Sequence, residues 1–307
     1  MEPNEILDAL DRQYLGEAWL DEAAGRWPLR PSASDGCRRA QQIGLLRPER
    51  TRVQPARLLR QFERGHQRGA ELAKKLSLAL SVDSRVDHVQ LAPKVSLELA
   101  VDWVEDDPLD RLLNRWIEAG AGERFTKIRG DALQGGMSTY SHLVIGGEAD
   151  IAVHFRDYQG SPPWLIDAKA EGAYGWKKDD PGYLSQQGLY AMALGSRRAF
   201  LLRECQEKSH GKVGTNPGDL KLTELPMDEC LRLAAEAIDT WVWMLEQVRD
   251  GVTELHDSLE PDGKSLPWRC NYCPLGRTAP VEHRCFPYMT LIDTDEDKEL
   301  PRWKSAN

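Results

Sequence analysis

Residues 162–172, PPWLIDAKAEG, constrain the fold more than any other stretch of this chain. Pro162 and Pro163 close off what precedes them, Trp-Leu-Ile opens a buried strand, and small residues end it. Asp167 and Lys169 nevertheless lie inside the run. Residues i and i+2 of a strand point to the same face, so a carboxylate and an ammonium stand side by side among apolar neighbours. Charges in such a setting are paired or bound to a metal, because an isolated buried charge is too costly. A structural ion pair meets that requirement as well as a functional site does.

The rest of the chain supplies strands and helices to surround this one. Residues 52–80 carry apolar residues at helical spacing, and 109–119 read as a shorter helix. ERFTKIRGD and STYSHLVIGGEADIAVHF are rich in β-branched and aromatic residues, with LQGGM between them as a turn. GYLSQQGLYAMALG reads as a helix closed by Gly195, RRAFLLREC as a strand, HGKVGTNPGD as a polar loop and LKLTELP as another strand. Residues 227–250 form the clearest helix, with Leu231, Ala234, Ile238, Trp241, Leu245 and Val248 along one stripe. Strands alternating with helices predict one α/β domain over 1–290, with a core at about 52–225, helical additions at both ends and a loose acidic tail at 291–307.

Composition narrows the classes. A hydrophobic content of 41% suffices for a globular core. No run approaches the roughly 18 apolar residues of a membrane span, which predicts no membrane partner. The N-terminus has no basic segment followed by an apolar one, so the expectation is a cytoplasmic protein with reduced cysteines. The net charge of −9 opposes bulk attraction to nucleic acid. That average hides a basic segment. From Cys37 to Lys75 eleven Lys and Arg, Arg64 and Arg68 among them, face three acids, a net +8. A solvated helix face and a phosphate-facing surface both account for it.

Three features bear on the charged strand. Asp150, after a Gly-Gly pair that permits close backbone approach, begins the apolar run IAV. If GEADIAVHF and PPWLIDAKA pair as a hairpin, Asp150 and Asp167 meet at one end of the sheet, and two such carboxylates suit Mg²⁺ or Mn²⁺ between them. His66 lies in the basic helix between Gly65 and Gly69, a costly pair in a helix that close packing would explain. It is a surface or core histidine, or a third ligand that favours Mn²⁺. Gln186 and Tyr190, at i and i+4, share a helix face and can hold a nucleic-acid strand at the mouth of the site. An ordinary amphipathic helix explains them equally.

Asp150, then Asp167-Ala168-Lys169, then Gln186-x-x-x-Tyr190, with His66 upstream, resemble the PD-(D/E)XK nuclease superfamily. Within it they are most similar to the RecB-like exonuclease branch, which includes the AddB nuclease and the CRISPR-associated exonucleases. The resemblance covers roughly residues 30–290, and Asp167 stands where many members carry Glu. It implies an α/β fold with a restriction-endonuclease-like core, a central mixed sheet flanked by helices. It implies a metal-dependent DNA exonuclease in which Asp150, Asp167, His66 and the Ala168 carbonyl hold Mg²⁺ or Mn²⁺. Lys169 then positions the attacking water and offsets developing charge, while Gln186, Tyr190, Arg64 and Arg68 contact DNA. The implied partner is DNA, as single strands or duplex ends, with a second copy of the chain or a recombination or CRISPR protein as further partners.

Six cysteines test this. Cys270-x-x-Cys273 has metal-clip spacing, and Cys285 follows after eleven intervening residues. With His283 these three make a local zinc knuckle. The cluster-bearing part of the RecB-like branch instead sets one cysteine before the core and three after it, which matches Cys37, Cys270, Cys273 and Cys285 and implies a 4Fe–4S cluster joining the two terminal additions. Cys205 and Cys230 read as small buried apolar residues. Two other functions fit the same sequence: a DNA-binding recombination accessory with a vestigial site, and a zinc-stapled interaction domain.

Overall fold

The structure is a computed structural model that describes residues 31–34, 37–46, 56–100, 118, 142–156, 160–172, 176, 181–206, 216–250, 289–291 and 303–305. In chain order, a short 3-10 turn (Pro31–Ala33) leads to α1 (Arg38–Leu46), α2 (Ala56–Ser81), β1 (Val86–Leu91), β2 (Lys94–Ala100), β3 (His142–Glu148), β4 (Ile151–Phe155) and β5 (Trp164–Glu171). Then follow α3 (Pro181–Leu194), β6 (Arg198–Cys205), β7 (Leu220–Glu224), α4 (Met227–Arg249), β8 (Met289–Leu291) and β9 (Trp303–Ser305). The fold is α/β. A mixed five-stranded sheet has the order β1-β4-β5-β6-β7. Only β5 and β6 run parallel, joined through α3; the other neighbours are antiparallel.

The period of two along β5 sorts its residues between two cores. Ile166 and Ala168, with Ile151, Val153, Phe200 and Leu202, pack against Leu72 and Ala73 of α2. Leu165, with Ala152, Ala199 and Leu201, packs against Tyr190 and Ala191 of α3 and Cys230 of α4. The α3–α4 contact is close: a Cβ on Gly188 would lie 2.0 Å from the Cys230 carbonyl oxygen, so only glycine fits there. Gly195 has φ +65° and ends α3, and the Ser196 N–H returns to the Ala191 carbonyl at 2.9 Å.

The long helices and the strands β5, β6 and β7 lie where their patterns predict. In α4 the buried stripe is Cys230, Ala234, Ala237, Trp241, Met244 and Leu245, rotated slightly from the expected one. Cys205 and Cys230 are fully buried, as expected of small apolar residues. Three differences matter. First, β1 and β2 were not anticipated, although Val95, Leu97 and Leu99 alternate cleanly along β2. Second, the stretch ending at Phe155 is two strands, because the chain bends at Ala149–Asp150 and leaves one sheet for another. Here β3 pairs with β2 in a separate ribbon, while β4 joins the main sheet. The paired bend lies at Ala92–Pro93, held by Ala92 N–H to the Asp150 carbonyl (2.9 Å) and Ala149 N–H to the Pro93 carbonyl (3.1 Å). Ala92 has φ +50°, a left-handed conformation disfavoured for alanine. Third, β8 and β9 pair with each other, so residues 303–305 of the predicted loose tail are in a strand. Most of the expected helix at 109–119, ERFTKIRGD and LQGGM lie outside the described residues. None of the described helices is long and apolar enough to cross a membrane.

Candidate functional site

The register Ile151↔Ile166 is the last pairing of β4 with β5 on the Asp150 side. Beyond it the edge of β5 is open, and the Ala168 N–H lacks a strand carbonyl. The Asp150 carboxylate takes that place: Ala168 N–H donates to Asp150 Oδ2 at 2.8 Å. The hairpin expected from the sequence thus exists, and it brings Asp150 beside Asp167 at one end of the sheet.

Asp167 points to the face opposite Ala168, under α3. It is buried, with 1% of its side chain exposed, whereas Lys169 is 26% exposed. The Lys169 ammonium donates to Asp167 Oδ1 at 2.9 Å and lies 2.8 Å from Oδ2. Oδ2 is buried as well, with that ammonium as its close charged neighbour. Burial pushes the Asp167 carboxyl up most strongly, Lys169 pulls it back, and Asp150 pushes it up again, to about 7. Burial works against the charge of Lys169, but Asp167 and Asp150 outweigh it and hold its pKa above the ordinary lysine value. The opening ion pair is therefore real, and it stands beside a second carboxylate.

Gln186 and Tyr190 share a face of α3 as their spacing predicts, and Gln186 Nε2 donates to the Tyr190 hydroxyl oxygen at 3.0 Å. Tyr190 is buried, and burial pushes its hydroxyl up to about 12; Asp167, Lys169 and Asp150 all act on it electrostatically. It forms the wall of the site, and half-buried Gln186 lies nearer its mouth. The Gly-Gly pair before Asp150 explains this contact. A Cβ on Gly147 would meet the Tyr190 ring at 3.1 Å and Pro31 at 3.0 Å. The N-terminal 3-10 turn is therefore packed beside the site.

The two glycines around His66 differ. A Cβ on Gly69 would stand 3.0 Å from the Ala168 carbonyl oxygen, so α2 approaches β5 at the residue between Asp167 and Lys169. Gly65 faces open space. His66 is exposed, and α2 packs on the face opposite the Asp167 carboxylate. Among the described residues no three His, Cys, Asp or Glu side chains stand together as a metal-binding group. The structure therefore assembles a two-carboxylate set, Asp150 and Asp167, without His66. The buried Asp167 Oδ2 and the oxygen chemistry of both side chains fit a hard divalent cation.

The basic segment is also more differentiated than its count of charges suggests. Arg64, Lys74 and Lys75 are exposed. Arg68 is not a free cation. It makes two hydrogen bonds to buried Glu204, at 2.8 and 2.6 Å, and one to Glu71 at 2.8 Å, so it fastens α2 to β6. Cys37 caps α1, its carbonyl accepting from Gln41 N–H at 3.0 Å, and its side chain is partly exposed. Cys270, Cys273, His283 and Cys285 lie outside the described residues.

Sequence reasoning missed three neighbours. Glu171 continues the same-face series Asp167, Lys169 and is buried, with Arg203 at 3.8 Å. Arg203 is the β6 partner of Lys169 and is almost wholly buried. The Tyr183 ring lies 5.6 Å from the Lys169 ammonium. The i+4 position of Glu171 carried a signal; the pairing of Arg203 needed the sheet.

The sequence matches no family model and no curated protein. Among solved structures, one described as "Crystal structure of SSO0001" is similar at 12% identity with a TM-score of 0.39, over 88% of this chain and 94% of that one. A likeness of that size bears on neither the activity nor the site.

Proposed function

We propose that this chain is a metal-dependent nuclease that hydrolyses phosphodiester bonds of DNA, on a restriction-endonuclease-like core. The observation that carries the reading is the convergence at the open end of β4 and β5. A buried carboxylate, a second carboxylate and an ammonium meet there under a tyrosine–glutamine pair. A structural bridge would account for Asp167 and Lys169. It would not by itself call for a carboxyl that burial, with a smaller push from the second carboxylate, raises to about 7, an arrangement typical of functional sites.

A divalent cation bound there supplies charge neutralisation and lowers the pKa of bound water. Asp150 and Asp167 are the side chains that hold it, with the Ala168 carbonyl beside them. His66 does not carry the proposal. Lys169 presents its ammonium at the solvent edge of the pair, where it orients a water and offsets negative charge on the phosphate. Gln186 offers an amide to the substrate strand, and Tyr190 fixes that amide from below. Arg64, Lys74 and Lys75 supply the exposed cations along α2 for backbone phosphates. A 4Fe–4S cluster on Cys37, Cys270, Cys273 and Cys285 belongs to the same proposal; the docking of Pro31 beside Tyr190 and Gly147 supports an N-terminal segment anchored near the site.

The test is incubation with end-labelled single- and double-stranded DNA in Mg²⁺ or Mn²⁺. Cleavage that chelation stops supports the reading. Intact DNA of both kinds with either metal refutes it.

A further inference from the structure

A second group of polar side chains lies at the other end of β4 from Asp150. His88 of β1 and His154 of β4 are directly opposed in the antiparallel ladder. Their imidazole rings stack with centroids 4.1 Å apart and planes within 9°. The register slips between Val86 and His88, so that Asp87 is the additional residue of a β-bulge. In a regular strand Asp87 and His88 would face opposite ways. Here Asp87 Oδ2 lies 3.0 Å from His88 Nδ1. The carboxylate holds the proton on Nδ1 and leaves Nε2 of His88 as the acceptor nitrogen. This is the arrangement that orients metal-binding histidines. β1 is an edge strand of the sheet, and the His88 side chain is 57% exposed.

We propose that His88 and His154 form a surface site for a late first-row divalent cation, of the Ni²⁺, Cu²⁺ or Zn²⁺ class, with Asp87 as the positioning residue. Imidazole nitrogen suits these ions, and it suits Mg²⁺ poorly. Two ligand nitrogens 2.0–2.1 Å from one tetrahedral ion lie about 3.4 Å apart. To meet one ion the two imidazoles must tilt out of their parallel stack by rotation about their side-chain bonds, on backbones that the ladder already pairs. Among the described residues no third side-chain ligand joins them, so water completes the coordination. His154 is four residues from Asp150 along a strand that rises ~3.3 Å per residue, so this site is separate from the carboxylate pair. A bound ion ties the edge strand β1 to β4.

Ni²⁺ binding to the full chain, measured by equilibrium dialysis for stoichiometry and by calorimetry for affinity, tests this. His88→Gln and His154→Gln are each expected to remove one bound equivalent. The double variant should lose that same single equivalent, because the two residues share one ion. Asp87→Asn should keep the stoichiometry and weaken this site about 10-fold or more, as loss of a carboxylate behind a metal-bound histidine does. Asp150→Ala should leave it intact. Unchanged stoichiometry in both single variants, with far-UV circular dichroism confirming that they fold, overturns the proposal. So does loss of two equivalents in the double variant.

Discussion

Asp167→Asn separates what the buried carboxylate does for stability from what it does for function. Asparagine keeps the size of the side chain and removes its charge. In the folded protein the Asp167 carboxyl is raised from 3.8 to about 7, first by burial, with Asp150 adding to it and Lys169 opposing. A folded pKa above the unfolded one means that the folded state binds the proton more tightly. The associated stability is fully present below the unfolded pKa and is lost as the pH rises through the folded pKa. A rise of about three pH units at ~1.4 kcal/mol each amounts to roughly 4 kcal/mol over that whole window. Asparagine does not titrate, so the variant gains on the parent across the same window. Removing the partner of Lys169 adds an offset, but Lys169 remains charged beside Asp150, and the offset is constant with pH. The quantity to read is therefore the change in the stability gap. Urea unfolding of both proteins without metal, at about pH 4.5 and about pH 7.5, should show the gap moving roughly 3 kcal/mol in favour of the variant. A gap that stays flat, or moves toward the parent, refutes the account of Asp167 as a carboxylate held at the expense of stability. The same variant should lose DNA cleavage at every pH, a trade of function against stability.

Further predictions concern packing, DNA contact and the cysteines. Gly65→Ala faces open space and should stabilise α2 by about 1 kcal/mol in urea unfolding, whereas Gly69→Ala pushes against the Ala168 carbonyl and should destabilise the fold and lower cleavage. Gly188→Ala drives a methyl into the Cys230 carbonyl and should cost about 3 kcal/mol or more in the same assay. Arg64→Ala should weaken DNA binding and reduce the salt slope by about one in a fluorescence titration, while Arg68→Ala should chiefly lower the melting temperature because Glu204 loses its partner. Cys37→Ser, purified without oxygen, should lose iron and acid-labile sulfide by colorimetric assay and melt at lower temperature. Retained metal would favour the local zinc knuckle of Cys270, Cys273, His283 and Cys285.

Local chemistry made the centre of the site legible. Alternation in WLIDAKA put Asp167 and Lys169 on one face, the apolar run after Asp150 gave its hairpin partner, and four-residue spacing put Gln186 against Tyr190; each contact follows from a single element or one hairpin. The roles that depend on which face a helix covers were not legible. His66 and Gly69 share a helix, yet Gly69 lies against the Ala168 carbonyl while His66 is exposed, and α2 lies across the sheet from the Asp167 carboxylate. Arg68 looked like one of many surface cations, because Glu204 lies 136 residues away. The bulge at Asp87 was hidden for the same reason, since a bulge exists only relative to the strand it pairs with. The bend at Ala149–Asp150 carries no proline or turn pair, and two strands in different sheets therefore read as one.

The central claim is that Asp150, Asp167 and Lys169 act together on a phosphodiester. Lys169→Ala tests it most directly, because it removes the ammonium and keeps both carboxylates; it also leaves buried Asp167 without its counter-ion, so folding of the variant is checked by far-UV circular dichroism. With Mn²⁺ and a radiolabelled single-stranded DNA under single-turnover conditions, the parent should cleave, and the variant should be slower by a factor of ~100 or more. Its DNA binding, measured in Ca²⁺, should stay within about 3-fold of the parent, since one ammonium is a small part of the counterion release that sets affinity. Cleavage by the variant at the parental rate would contradict the account.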